Sequence, residues 1–217
     1  MIRVELHCHT IYSKDCLVNL PDLLRACQRK GIQRLAVTDH NHIQGALKAQ
    51  GLDPQMVIVG EEIATQSGEL LAFFVREEVP PGLPPEETIA LLREQGAFIS
   101  VAHPFDRFRS GHWKLAELER IAPLVDAIEV FNARCLWPGF NRQAQAFART
   151  HTLPGTVGSD AHTLFEVGQA CLLLPDFQDV KSLREALTQA TPQVSLSPPW
   201  VHLASRYAAW HKKLAGV

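Results

Sequence analysis

Short apolar runs recur along this chain, and most of them stop at a histidine or an acid. IRVEL (2–6) leads to His7-Cys8-His9, RLAVT (34–38) to Asp39-His40 and MVIVG (56–60) to Glu61-Glu62. AFISVA (97–102) leads to His103-Pro104, DAIEVF (126–131) holds Glu129 near its end, and the glycine-bounded run 155–158 leads to Asp160-Ala161-His162. Apolar runs this short, bounded by turn residues, read as buried strands. Amphipathic stretches at 20–30, 43–50, 86–95, 113–121, 138–150 and 179–190 read as helices between them. Asn19 and Pro21 are placed to start the first and Gly31 to end it.

Further extended segments are expected at 70–75, after a Ser67-Gly68 turn, and at 171–175. The alternation predicts an α/β fold with a parallel sheet and helical crossovers. About seven strands in 217 residues favours closing that sheet into a barrel. One domain spanning 1–217 is expected, with the tail from Pro198 packing as a helix on the body. The Phe73-Phe74 pair and the tail tryptophans read as core.

Composition narrows the class. Hydrophobic residues are 46% and charged residues 20%, and the net charge is −2, so no general electrostatic drive toward nucleic acid or an anionic membrane is expected. MIRVELHCHT has no cationic stretch leading into a long apolar run, and LLAFFV (70–75) is too short to span a bilayer. A cytoplasmic protein without membrane partners is expected. Five cysteines without a CxxC pair are expected to be buried free thiols.

In a parallel barrel the C-terminal strand ends gather on one face, and that face hosts chemistry. His7 and His9, two residues apart on an extended segment, share one side, as do Asp160 and His162. Asp15 lies in the loop after the first strand and can reach inward. A donor set of imidazole nitrogen and carboxylate oxygen suits Zn²⁺, Mn²⁺ or Fe²⁺ better than a structural zinc–thiolate site. Asp39 suits the role of an acceptor that orients a ligand imidazole. Glu129 is open as ligand, orienting group or structural acid, and Asn132 as substrate contact or loop residue. Glu61, alternating with Glu62, is expected to face solvent. His42, His112, His151, His202 and His211 lie off the strand-end pattern and read as ordinary surface or hydrogen-bonded residues.

HxH, TDH, GxE, HP and SDAH, in this order across roughly 1–175, resemble the polymerase and histidinol phosphatase (PHP) family. The resemblance implies a distorted (β/α)7 TIM-like barrel and a metal-dependent phosphoesterase with two or three divalent ions. Carried over by position, one ion takes His7, His9, Glu62 and Asp160. A second takes Glu62, His103 and one further ligand, and a third takes Asp15, His40 and His162. Many members carry a histidine on the strand after GxE; the matching region here reads Gly68-Glu69-Leu70-Leu71, so Glu69 stands as a substitute carboxylate.

The expected chemistry is hydrolysis of a phosphate ester by water activated between cations. Arg107, Arg109 and Arg134 are candidates, as a group, to grip phosphate through paired hydrogen bonds. Asp160 and His162 complete the candidate catalytic set; His162 or a water would protonate the leaving oxygen. A small phosphorylated substrate, such as a nucleotide, leads. A 5′-to-3′ exonuclease acting on the end of RNA or single-stranded DNA is the alternative. Behind it come a histidinol-phosphatase-like enzyme and a non-catalytic metal-binding scaffold. The oligomeric state is not readable from the sequence.

Overall fold

A computed structural model describes residues 1–109 and 111–216. Nine strands form one sheet: β1 (Ile2–Glu5), β2 (Arg34–Val37), β3 (Val57–Ala64), β4 (Glu69–Phe73), β5 (Phe98–Val101), β6 (Ala127–Asn132), β7 (Gly155–Gly158), β8 (Ala170–Leu174) and β9 (Thr191–Val194). The helices are α1 (Leu20–Arg29), α2 (Gln44–Leu52), α3 (Pro85–Glu94), α4 (Leu115–Ile121), α5 (Pro138–Thr150), α6 (Val180–Leu187) and α7 (Val201–Ala215). Asn19 does cap α1, accepting from the Asp22 amide. Among the described residues no helix is long and apolar enough to cross a membrane. All five cysteines are buried free thiols.

The strand order β7-β6-β5-β4-β3-β2-β1-β8-β9 describes a ring of seven with a ribbon, β8–β9, appended beside β1. The ring is nearly closed. Beyond their strands, β7 and β1 meet at a parallel bridge between Cys8 and Ala161. There the His9 amide donates to the Ala161 carbonyl at 2.9 Å and the Asp160 amide to the His7 carbonyl at 2.8 Å.

The sheet is mixed rather than parallel. β4 runs antiparallel to both β3 and β5, and β8 antiparallel to both β1 and β9. The link 65–68 is a tight turn in which Thr65 and Gly68 bond each other, and four residues cannot carry the crossover that a parallel pair requires. One consequence bears on the site: antiparallel β4 presents its first residue, Glu69, on the face where β3 presents its last, with Glu69 paired to Ala64.

Inside the ring pack Val4, Leu6, Ala36, Ile58, Leu71, Phe73 and Phe98, with α6 side chains Leu183 and Leu187 in the same cluster. A second cluster joins the outer strand faces to the helices through Leu23, Leu35, Ile63, Leu92, Ile99 and Leu118. With both faces covered, a β3 side chain finds no solvent on either side. Glu61 is therefore fully buried, contrary to the alternation argument, and accepts from the Val79 amide at 3.2 Å. α7 buries Val201, Ser205, Ala208 and Lys212, but Trp200 and Trp210 are half exposed or more and do not join the core.

Candidate metal centre

β1, β2, β5 and β7 deliver their polar residues just beyond their C-terminal ends, β3 and β6 hold Glu62 and Glu129 within the strand, β4 presents Glu69 at its start, and the candidates converge. His7, His9, Glu62, His103 and Asp160 are buried, while Asp15, His40 and Glu69 are partly exposed. Glu62 sits centrally: its Oε1 lies 3.3 Å from His7 Nε2 and 2.9 Å from His103 Nε2, and its Oε2 lies 3.4 Å from His9 Nε2 and 2.8 Å from His40 Nδ1. Asp160 Oδ1 is 3.3 Å from His9 Nε2 and 3.7 Å from His7 Nε2. Asp15 spans His40 Nε2 at 3.6 Å and His162 Nε2 at 3.3 Å. Glu69 Oε2 stands 3.6 Å from His103 Nε2.

Four overlapping groups of donor atoms are each close enough to share a cation: His9, His40 and His162; His7, Glu62 and His103; His7, His9 and Asp160; and His40, Glu62 and Glu69. Of the positions read from the sequence, the nine candidate ligands all reach this cluster. The five histidines set aside as ordinary do not: His42 pairs with Glu78 at the surface, His112 meets the Arg109 carbonyl, and His202 meets the Arg134 carbonyl.

The donor chemistry fits a cation. His7 Nε2, His9 Nε2, His162 Nε2 and Asp160 Oδ1 are all buried without a hydrogen-bond partner, and they face one another. A buried polar atom left unpaired is costly and rare, so several at one point mark a place where something binds.

The ring tautomers, assigned from the hydrogen-bond network, agree. His7 Nδ1 donates to Glu129 Oε1 at 2.8 Å, which frees Nε2. Ser13 Oγ gives its only proton to Asp39 Oδ1 at 2.6 Å, so it must accept from His9 Nδ1 at 3.0 Å, and His9 Nε2 is freed too. Asp39 thus orients the His9 imidazole through Ser13, a residue that no sequence signal singles out. Glu129 is an orienting group; its other oxygen accepts from the His103 amide at 2.8 Å and from Asn132 Nδ2 at 3.1 Å.

The electrostatics follow from burial and crowding. Burial works against a charged His7, but Asp160, Glu62 and Glu129 overcome it and hold the imidazole well above its usual range. Burial, with His162 and His40 beside it, keeps His9 well below. Burial opposes ionisation of Glu62, yet His7 and His40 hold it well below the usual carboxylate range; Arg109 and His7 do the same for Asp160. Two carboxylates kept ionised at a sealed site are suited to a cation.

The three arginines part company. Arg109 Nη2 reaches Asp160 Oδ2 at 2.5 Å and is braced by Asp106. Arg107 is exposed on the same loop. Arg134 is buried and faces inward: it pairs with Glu166 at 3.1 Å, donates to Ser205 Oγ at 2.6 Å, and sets Nη1 2.7 Å from His162 Nδ1. Because the Asp160 carbonyl must accept from His162 Nδ1–H, the Arg134 contact there is packing rather than a hydrogen bond; the guanidinium is engaged by Glu166 and Ser205 and does not stand at the mouth for phosphate. Glu166 also accepts from the His162 amide, a support the sequence reading missed. Gly158 is required for space, since a Cβ there would strike both His7 and Glu129.

Comparison with known proteins agrees with this picture. The PHP domain model matches residues 5–78 and the PHP-associated model residues 138–192. An uncharacterized protein of Methanocaldococcus jannaschii is 39% identical over 173 residues, covering 78% of this chain and 69% of the relative. A Shewanella piezotolerans protein named "Probable phosphatase" is 25% identical over 230 residues, covering 89% of this chain and 91% of its own. A Bacteroides vulgatus two-domain protein containing a predicted PHP-like metal-dependent phosphoesterase superposes with a TM-score of 0.72 at 17% identity. That match covers 89% of this chain and 65% of the solved one, so the chain spans about two thirds of that protein's length.

Proposed function

Because this chain belongs to the PHP family, we propose that its histidine–carboxylate cluster holds divalent cations and hydrolyses a phosphate ester on a small phosphorylated molecule. The observation that carries this reading is the set of orphaned buried ligand atoms from His7, His9, Asp160 and His162 around one point, with the Glu62 carboxylate at its centre. His7, His9, Glu62, His103 and Asp160 would hold the inner cations, with Asp15, His40 and His162 holding another and Glu69 completing the set beside His103. Cations bound there would supply Lewis acidity and lower the pKa of a bound water.

The protein's own groups do the rest. Arg109 reaches the cluster from the rim; its Nε and Nη2 are held by Asp106, Asp160 and Asn132, which leaves Nη1 to donate to a phosphoryl oxygen, while exposed Arg107 on the same loop adds charge to the approach. Glu129, Asp39 and Ser13 fix which ring nitrogens point inward. His162 is assigned to holding a cation rather than to proton delivery, because the Asp160 carbonyl engages its Nδ1 at 2.8 Å and Asp15 faces its Nε2.

A cleft of about 690 Å³, a size that suits a small molecule, is lined by Ser67, His112, Lys114 and, from the cluster, Glu69.

The test is to measure bound metal and then turnover of p-nitrophenyl phosphate, its bis-ester and a nucleotide panel, with and without chelator. Chelator-sensitive monoester turnover is the expected result. Activity confined to diesters or oligonucleotides would favour the exonuclease alternative, and stoichiometric metal with no turnover of any ester would refute hydrolysis. Arg109→Met should keep its metal and lose about 10²–10³ in kcat/KM, the usual effect of removing one charge-stabilising donor.

A further inference from the structure

α7 carries two seams. Val201, Ser205, Ala208 and Lys212 face the body and are buried. On the opposite side stand Trp200, Leu203, Tyr207, Trp210 and Leu214, between 50 and 68% exposed. The outward set recurs at alternating spacings of three and four residues, the a/d pattern by which one helix packs against another. Phe165, itself 50% exposed, extends the patch onto the body, its ring 5.3 Å from that of Trp200. At these exposures six large side chains present about 700 Å² of apolar surface. That exceeds the roughly 300–600 Å² patch usual on a monomer and approaches the roughly 800 Å² each partner buries in a stable interface.

We propose that this face pairs with the same face of a second copy of the chain, α7 against α7 across a two-fold axis. A patch that is apolar along a whole helix is self-complementary, as an isologous contact requires. The charges beside it bear on the choice of occupant. Residues 195–217 contain no Asp or Glu, while Arg206, His211 and Lys213 are exposed on the flanks of the seam. An anionic strand would be drawn to those cations, but Leu203 and Leu214 offer it nothing to bond or stack on, and an anionic membrane would gain only about 1 kcal/mol from each exposed cation. Leucines alternating with aromatics are what a matching apolar helix fills. Like charges facing each other across the two-fold are exposed and screened within about 8 Å at physiological salt, whereas apolar burial is not. Self-association therefore strengthens with salt, while binding to an anionic partner weakens.

The test is sedimentation velocity of the full chain from roughly 1 to 100 µM. The expected result is a monomer–dimer equilibrium that shifts toward dimer as NaCl rises to about 0.5 M. Leu203→Glu and Trp210→Glu should be monomeric throughout, with unchanged far-UV circular dichroism. Leu52→Glu, an equally exposed leucine on α2, should associate like the parent chain. The proposal is overturned by a chain that stays monomeric at the highest concentration in both salts. It is equally overturned by dimers that survive both α7 substitutions. Salt-sensitive binding of the monomer to phosphatidylserine vesicles or to an oligonucleotide, lost in Trp210→Glu, would assign the face to an anionic partner instead.

Discussion

Glu129→Gln tests how the centre controls its ligand atoms, because it keeps shape and changes only proton bookkeeping. Glu129 accepts on both oxygens, from His7 Nδ1 on one side and from the His103 amide and Asn132 Nδ2 on the other. A glutamine has one acceptor oxygen. If that oxygen keeps the two donors on the His103 side, its NH₂ faces His7 Nδ1. The imidazole must then accept there and carry its proton on Nε2, the atom that faces Glu62 and Asp160. If the amide turns over, its NH₂ opposes two donors in a sealed site. Either arrangement leaves a buried polar group mispaired, at about 1–3 kcal/mol. Loss of an outer partner of a metal-bound histidine typically lowers affinity about 10–100-fold, which is about 1.4–2.7 kcal/mol, so two independent arguments agree on the size. Competition against a chromogenic chelator, using Zn²⁺ and Mn²⁺ separately, measures it on folded protein. An affinity within about twofold of the parent for both ions would show that Glu129 does not set the His7 tautomer, and the argument from hydrogen bonding would be wrong.

Three other outcomes follow from the same geometry. Ser13→Ala removes the acceptor at His9 Nδ1 and one donor to Asp39, and should weaken metal binding about tenfold with little change in fold; unaltered affinity in the chelator assay would count against the Asp39–Ser13–His9 relay. Burial pushes the Glu61 carboxyl up to about 8. Its folded value lies above its unfolded one, so its contribution to stability is full below about 4.5 and is lost as pH rises through 8. Glu61→Gln should flatten that loss and be roughly 2–4 kcal/mol more stable than the parent at pH 9, read by urea unfolding across pH; parallel pH profiles would contradict it. Stripping metal should deprotect the amides of His9 and Asp160 in hydrogen exchange more than those of β2 or β5, and uniform deprotection would argue against a local role for the cations.

The strand-end pattern was legible because a ligand face imposes it: a polar residue cannot end a buried strand unless something satisfies it. That logic placed seven candidate ligands at one mouth from sequence alone; Asp15 came from the loop after the first strand and Glu69 from the family resemblance. It failed where the physics is not periodic. Glu61 alternates with Glu62 as a half-exposed strand would, but β3 is covered on both faces. Strand direction was misread although the Ser67-Gly68 turn was in view, since so short a link already excludes a parallel pair. β9 (Thr191–Val194) escaped because it is exposed along its length and carries Pro192, an edge strand without an apolar signature. Ser13, Glu166 and the inward turn of Arg134 were invisible because hydrogen-bond partners at long separation leave no local mark. In the tail, the tryptophans drew attention as packing residues, whereas Val201, Ser205 and Ala208 hold the helix down.

The centre also sits where the barrel is least well held. Among the described residues the seven strands close into a ring through the bridge at Cys8 and Ala161, and the residues on either side of it are His7, His9, Asp160 and His162. Asp160 takes a left-handed backbone conformation at φ 53°, and His103 sits at φ 23°; such positions cost roughly 1–3 kcal/mol each and persist only where the surroundings enforce them. For Asp160 that enforcement is the amide bond to the His7 carbonyl, so ring closure and ligand placement are one event. Buried Glu5 adds to the same seam, accepting from the Ser159 and Gly168 amides. A cation shared by His7, His9 and Asp160 would tie the first ring strand to the last. The orphaned polar atoms, the strained backbone and the sparse closing bonds are then three costs of one seam, and a cation bound there would offset them together.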